Sequence, residues 1–303
     1  MYNDVQPTYL EQVERIIVIG DLHGDVSRLM QILYGLKIFS NDLQWIAEPK
    51  NTIVVQLGDQ IDSLSRGSTD EWEVLPDIEV MLLSDKLDNI ARLEGGRFLS
   101  LIGNHEIMNI MNEFSYVSKK SLEKCDMEMR SKLFNPGNQL NNILIKRNIV
   151  LQIGDYIFCH GGLLPHHLDL VNNNLHTINE SVRKCIGSPN TANDIDKQIF
   201  IKTAIEPNSI LWTRDYLMLA QGQPEVLDNI INILSTKIKI KAIFVGHNTV
   251  PFIQSVAHGR IFFTDTGISR AYPNEDYQII EILNKEGQDT IYNISTITQK
   301  NDN

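Results

Sequence analysis

"RIIVIGDLHGD", residues 15–25, is an apolar run that stops at Gly20 and then delivers an acid, a histidine and a second acid within five residues. An Ile/Val run without polar alternation predicts a strand covered on both faces. The apolar spacing of the next stretch, "VSRLMQILYGLKIF" (26–39), predicts a helix. Strand, polar loop and helix in that order form the repeating unit of an α/β protein.

The same pattern returns four times. "NTIVVQLGDQID" (51–62), "RFLSLIGNHE" (97–106), "NIVLQIGDYIFCHGG" (148–162) and "IKAIFVGHN" (240–248) each set an apolar run before a glycine and a polar cluster. Because α/β proteins bind ligands outside the carboxyl ends of their strands, five such clusters predict one shared site. "QIGDY" (152–156) lies between two apolar runs and reads as a hairpin turn. "IFFTDTGIS" (261–269), "YQIIEIL" (277–283) and "TIYNISTI" (290–297) read as closing strands, antiparallel hairpins in a second sheet or at its edge. The polar stretches of about 112–147 and 164–213 read as helical insertions, with "NPGN" (135–138) a turn and the tail "TQKNDN" frayed. The whole chain, 1–303, reads as a single domain with its core at about 15–295.

Composition narrows the function. A mean hydropathy of −0.16 and the lack of any apolar run near 20 residues argue against a membrane span. The N-terminal stretch does not resemble a secretory signal, so a cytoplasmic location is expected. A net charge of −11 without a basic stripe argues against nucleic acid as a partner. Cys125, Cys159 and Cys185 are widely spaced and odd in number, which fits reduced thiols, with Cys159 in the core.

The strand-end clusters offer Asp21, His23, Asp59, Asp62, Asn104, His105, His160 and His247. Carboxylate, imidazole and amide oxygen together suit divalent metals such as Mn, Fe, Zn or Co. An aspartate able to bridge two ions is what a dinuclear phosphoesterase needs, since paired cations both activate water and clamp phosphoryl oxygens. Isolated histidines carry less meaning. His166, His167 and His176 lie in a polar insertion and read as solvated surface, and His258 in "AHGR" reads as a hairpin turn.

"GDLHGD", "GDQID", "GNHE", "HGG" and "GHN" in this order resemble the motif set of calcineurin-like metallophosphoesterases. The unbroken "GNHE" and the absence of a Gly-His-x-His form resemble the phosphoprotein phosphatase branch, close to bacterial-type, Shewanella-like members. The resemblance covers roughly residues 15–270 and implies a β-sandwich flanked by helices. Carried over position by position, it implies that Asp21 and His23 bind a first metal, Asp59 bridges, and Asn104, His160 and His247 complete a second. It implies His105 as general acid and Asp62 as the group that orients it. The implied reaction is hydrolysis of phosphate monoesters, in phosphoproteins or small esters, by direct attack of metal-bound hydroxide.

One element departs from the pattern. The family sets a phosphate-binding arginine directly after the second aspartate, where this chain has Ser63, and Arg66 follows three residues later. Arg214 in "LWTRDY" resembles the Trp-x-Arg motif of the bacterial-type members and is a second candidate. Two rival functions stay open on the sequence: a symmetrical dinucleoside-tetraphosphate hydrolase, and a non-catalytic scaffold that binds phosphoprotein.

Overall fold

The computed structural model describes residues 5–67 and 75–298, so most of the tail expected to fray lies outside the described residues. The first part of the chain forms β1 (Tyr9–Leu10), β2 (Arg15–Ile19), α1 (Val26–Gly35), β3 (Ile53–Gln56), α2 (Glu79–Leu93), β4 (Arg97–Ser100) and α3 (Asn104–Ile110). The first insertion supplies α4 (Lys119–Lys124), α5 (Met127–Phe134) and α6 (Gln139–Leu144). After the hairpin of β5 (Val150–Ile153) and β6 (Tyr156–Cys159), the second insertion supplies α7 (Pro165–Asp169), α8 (Leu175–Gly187), α9 (Asp194–Phe200) and a π-helical turn, Ile201–Ile205. Helices α10 (Asp215–Gly222) and α11 (Pro224–Lys237) then lead to β7 (Ala242–Val245), β8 (Gln254–Val256), β9 (Ile261–Phe263), β10 (Asp276–Leu283) and β11 (Ile291–Thr298).

The strands pair into two sheets, in the orders β1-β5-β6-β7-β9-β8 and β11-β10-β2-β3-β4. Alternation of side chains explains why their sequences are apolar throughout. In β2, Ile16 and Val18 face the other sheet while Ile17 and Ile19 face the layer of α1 and α2. In β6 and β7, Tyr156, Phe158 and Phe244 fill the space between sheets, whereas Ile157, Cys159, Ile243 and Val245 turn to the core shared with the insertion helices. Both faces of each central strand are thus buried, and each such side chain contributes roughly 1.5–3 kcal/mol by leaving water. The result is the expected β-sandwich flanked by helices.

Two local expectations change. Helix α1 ends at Gly35, four residues short of Phe39, because Lys37 adopts φ 55° and Phe39 pairs with Trp45 instead. The closing strands divide between the sheets: β10 and β11 form an antiparallel hairpin beside β2, whereas β9 runs parallel to β7 and antiparallel to β8. The insertions are helical as expected, and they supply much of one core cluster, Phe134, Leu140, Leu175 and Ile178 among them. The "QIGDY" hairpin and the "NPGN" turn form as expected, and no described helix is long and apolar enough to cross a membrane.

Candidate active site

Strands β2, β3 and β4 of one sheet and β6 and β7 of the other end at a common edge, and the loops beyond them carry the predicted residues. Asp21, His23, Asp59, Asn104, His105 and His247 line a cavity of about 190 Å³ there, and His160 lies buried beside Asp59. Close approach makes this possible. A Cβ on Gly58 would stand 2.5 Å from the Gly103 backbone, and one on Gly103 would strike the Asp59 carboxylate. Glu106, the last residue of "GNHE", ties these loops by accepting the backbone N–H groups of Gly103 at 2.7 Å, Gln60 at 2.8 Å and Asp59 at 3.0 Å. Asp25 caps α1 through the Arg28 N–H and pairs with Arg270 at 2.8 Å.

The donor set fits metal ions. His23 and His160 each use Nδ1 on a backbone carbonyl, Ile61 at 3.1 Å and Leu57 at 2.9 Å, so Nε2 remains for a ligand. This backbone anchoring of the far nitrogen is what holds a metal-binding imidazole in one tautomer. Ligand atoms of His23, Asp59 and His105 lie within 4.8 Å of one another, as do those of Asp59, His160 and His247. Asp59 belongs to both groups. Asn104 Oδ1 sits 2.9 Å from His160 Nε2, on the second group's side. Asp21 belongs to neither group, although its carboxylate accepts the His247 N–H at 3.2–3.3 Å and lies 3.9 Å from His160.

Electrostatics point the same way. Burial, with Asp265 and Asp59 nearby, pushes the Asp21 carboxyl well above its ordinary range. Burial also raises Asp59, but His160 and His105 outweigh it and hold Asp59 well below. Burial and then Arg66 lower His23, while burial and then His160 push His247 down to about 3. Burial lowers His160 as well, but Asp59 overcomes it and raises that imidazole above its ordinary value. Buried carboxylates that repel one another, facing His23 and His247 kept neutral, make an environment a divalent cation would relieve.

His105 has a second partner. Its Nδ1 lies 2.7 Å from Asp62 Oδ2, leaving Nε2 3.8 Å from Asp59. Burial lowers the His105 imidazole, but Asp59 and Asp62 together overcome it and raise it above its ordinary value. Arg66 and Arg214 both line the cavity, with Tyr116, Tyr272, Trp212, Thr249 and Met108. Sequence reading assigned no role to these last residues, nor to buried Asp265, which follows the apolar "IFF" of a stretch read only as a closing strand. Among the histidines set aside, His166 and His176 are exposed and His258 sits in the β8–β9 turn. His167 is a correction: it is buried, accepting the Leu164 N–H at 3.0 Å with Nε2 3.0 Å from the Asn208 carbonyl.

A profile of the calcineurin-like phosphoesterase family matches residues 14–251. The chain is 26% identical over 338 residues to Shewanella-like protein phosphatase 2 of Arabidopsis thaliana, covering 94% of this chain and 79% of that protein. It is 29% identical over 276 residues to Shewanella-like protein phosphatase 1 of Plasmodium berghei, covering 86% and 70%. Among solved structures, the cold-active protein-tyrosine phosphatase of a psychrophilic Shewanella species shares the fold, with a TM-score of 0.77 at 19% identity over 97% of this chain and 83% of that one. Because the family match runs from the first of the five strand ends to the last, the chain belongs to the calcineurin-like phosphoesterases and is a phosphate-ester hydrolase.

Proposed function

We propose that the chain is a dinuclear metal-dependent phosphatase acting on phosphate monoesters of proteins. The observation that carries the reading is Asp59, shared by two ligand groups on the floor of a cavity walled by two arginines. His23 and Asp59, with Asp21 beside them, would hold one cation, and Asp59, Asn104, His160 and His247 the other. Divalent cations there supply water activation at neutral pH and neutralise charge on the phosphoryl oxygens. Arg66 and Arg214 orient the phosphate with their planar N–H donors. His105, held by Asp62, presents Nε2 to the departing ester oxygen and hands it a proton. The relatives named as protein phosphatases support phosphoprotein as the substrate class.

The test is turnover by the Mn-loaded chain on a phosphopeptide panel and on dinucleoside tetraphosphates, before and after chelation. Phosphate release from peptides, abolished by chelator and restored by metal, is the expected result. Preferential cleavage of the tetraphosphates would assign the site to phosphoanhydrides, and undiminished turnover after chelation would remove the metals from the reading.

A further inference from the structure

Asp62 is held from behind by groups that the five motifs do not contain. Its Oδ2 faces His105 Nδ1, while its Oδ1 accepts Asn109 Nδ2 at 2.8 Å and Arg130 Nη2 at 3.1 Å. Arg130 comes from α5 in the first insertion, and its side chain is fully buried. The guanidinium also donates to both Asp77 oxygens, at 2.6 and 3.0 Å, and through Nε to Asn109 Oδ1 at 2.5 Å. Asp77 in turn accepts the Asp62 backbone N–H at 2.7 Å and the Ser121 hydroxyl at 2.6 Å. The rings of Phe114 and Phe134 stand 5.9 and 5.7 Å from the guanidinium carbon.

We infer that Arg130 is a positioning residue for acid catalysis: its rigid fork, braced by Asp77 and Asn109, fixes the Asp62 carboxylate in the orientation that holds His105 toward the leaving group. A buried ion pair is by itself weak evidence for stability, because an apolar replacement of similar volume often serves as well. What the pair supplies here is geometry. One planar group spans Asp77, Asn109 and Asp62, and an ammonium cannot reproduce that fork. The two aspartates and one arginine also leave a formal negative charge against His105 Nδ1. That keeps the proton on His105 Nδ1, which donates it in a hydrogen bond to Asp62, and leaves Nε2 on the cavity side.

The inference rests on His105 being the acid, so the experiment separates the two. Arg130→Lys, Asn109→Ala and His105→Asn are assayed at saturating metal on substituted phenyl phosphates, from p-nitrophenyl to unsubstituted phenyl, with metal content by elemental analysis. A stabilised nitrophenolate leaves without a proton, whereas phenolate needs one. Arg130→Lys should bind the parental amount of metal yet lose about tenfold more kcat on phenyl than on p-nitrophenyl phosphate, a share of the roughly 10²–10⁴ a general acid supplies. Asn109→Ala should show the same tilt, smaller. If His105→Asn shows no tilt, the acid assignment itself fails. If His105→Asn tilts while Arg130→Lys lowers all substrates equally or sheds metal, Arg130 is only structural and the inference falls. Should Arg130→Lys not fold, an untilted Asn109→Ala beside a tilted His105→Asn overturns it equally.

Discussion

Arg66 stands three residues beyond the position directly after Asp62, yet its backbone N–H bonds the Ala271 carbonyl at 2.7 Å and its guanidinium carbon lies 5.5 Å from the Tyr272 ring and 6.0 Å from that of Tyr116. The lengthened loop folds back, and the charge returns to the cavity wall. Arg214 reaches the same wall from the start of α10, its Nη1 bonded to the His247 carbonyl at 3.3 Å and to Asn248 Oδ1 at 3.0 Å. A charged hydrogen bond to a partly desolvated phosphate contributes about 1.5–3 kcal/mol, so Arg66→Ala should lower kcat/KM at least about tenfold. Arg66→Lys should recover only part of this. Arg214 is more exposed, and solvent screening puts Arg214→Ala toward the lower end of that range. Steady-state kinetics of the single and double variants measure this, and parental values in both singles would leave the phosphate to the metals alone. A residue's place at the site was legible where a motif stood at a strand end, as for Asp59 or His160. Asp77, Asn109 and Arg130 were not, because Arg130 meets Asp62 across 68 positions through helix packing, which no local pattern encodes. His167 misled for a related reason: next to exposed His166 it reads as surface, while its burial depends on a carbonyl 41 positions away.

The loops after the strands carry unusual backbone. His23, Asp59, Asp62 and His247 have φ of 40°, 51°, 69° and 61°. Such left-handed conformations cost non-glycine residues on the order of 1–3 kcal/mol each and persist where surrounding structure over-determines them. Here the surroundings are visible: the N–H groups of Leu22 and His23 both bond the Asp59 carbonyl at 3.0 Å, and Gly24 bonds Gln60 at 2.7 Å. The strain therefore sits where side chains must converge. Lys37, at φ 55°, has no such duty. It closes α1 in a Schellman turn, with the Lys37 N–H on Tyr34 at 3.1 Å and the Ile38 N–H on Leu33 at 2.8 Å. Lys37→Gly should stabilise the protein by about 0.5–1 kcal/mol, the relief of the left-handed penalty less the extra freedom glycine has when unfolded. The midpoint of urea unfolding should rise with kinetics unchanged, and a fall would mean that Lys37 makes a contact worth more than the strain. The apolar spacing of "VSRLMQILYGLKIF" gave no sign of this stop, because leucine, isoleucine and phenylalanine continue past the turn into the core. Strands were easier to read than their pairing. A three-residue run such as β9 shows that it is buried but not that its neighbour β7 runs parallel to it.

The two sheets are joined by apolar packing along their length and by polar side chains at one edge. In the middle, Phe262 and Phe244 of the six-stranded sheet meet the Tyr292 ring of β11 in the other, with centroids 4.7 and 6.2 Å apart. At the edge, the five-stranded sheet delivers Asp21, His23, Asp59 and Asn104, and the six-stranded sheet delivers His160 and His247. In the proposed site, ligands drawn from both sheets would make metal binding a property of the folded molecule, since unfolding separates Asp59 from His160 by 101 positions of chain. A ligand bound only by the native state stabilises it by RT ln(1 + [L]/Kd), about 2.7 kcal/mol at a hundredfold excess over Kd. For a chain of this size that corresponds to roughly 5 °C in Tm. Thermal unfolding of the chain should therefore shift upward with added Mn, in proportion to the logarithm of its concentration, and return on chelation. Asp59→Asn should abolish most of the shift, because it weakens both ligand groups at once. Asp62→Asn, which meets the first group only through His105 Nδ1, should keep it while losing activity. A metal shift that survives in Asp59→Asn would place the ions elsewhere on the molecule, and one lost in Asp62→Asn would make the His105 pair part of the metal site instead of the acid behind it.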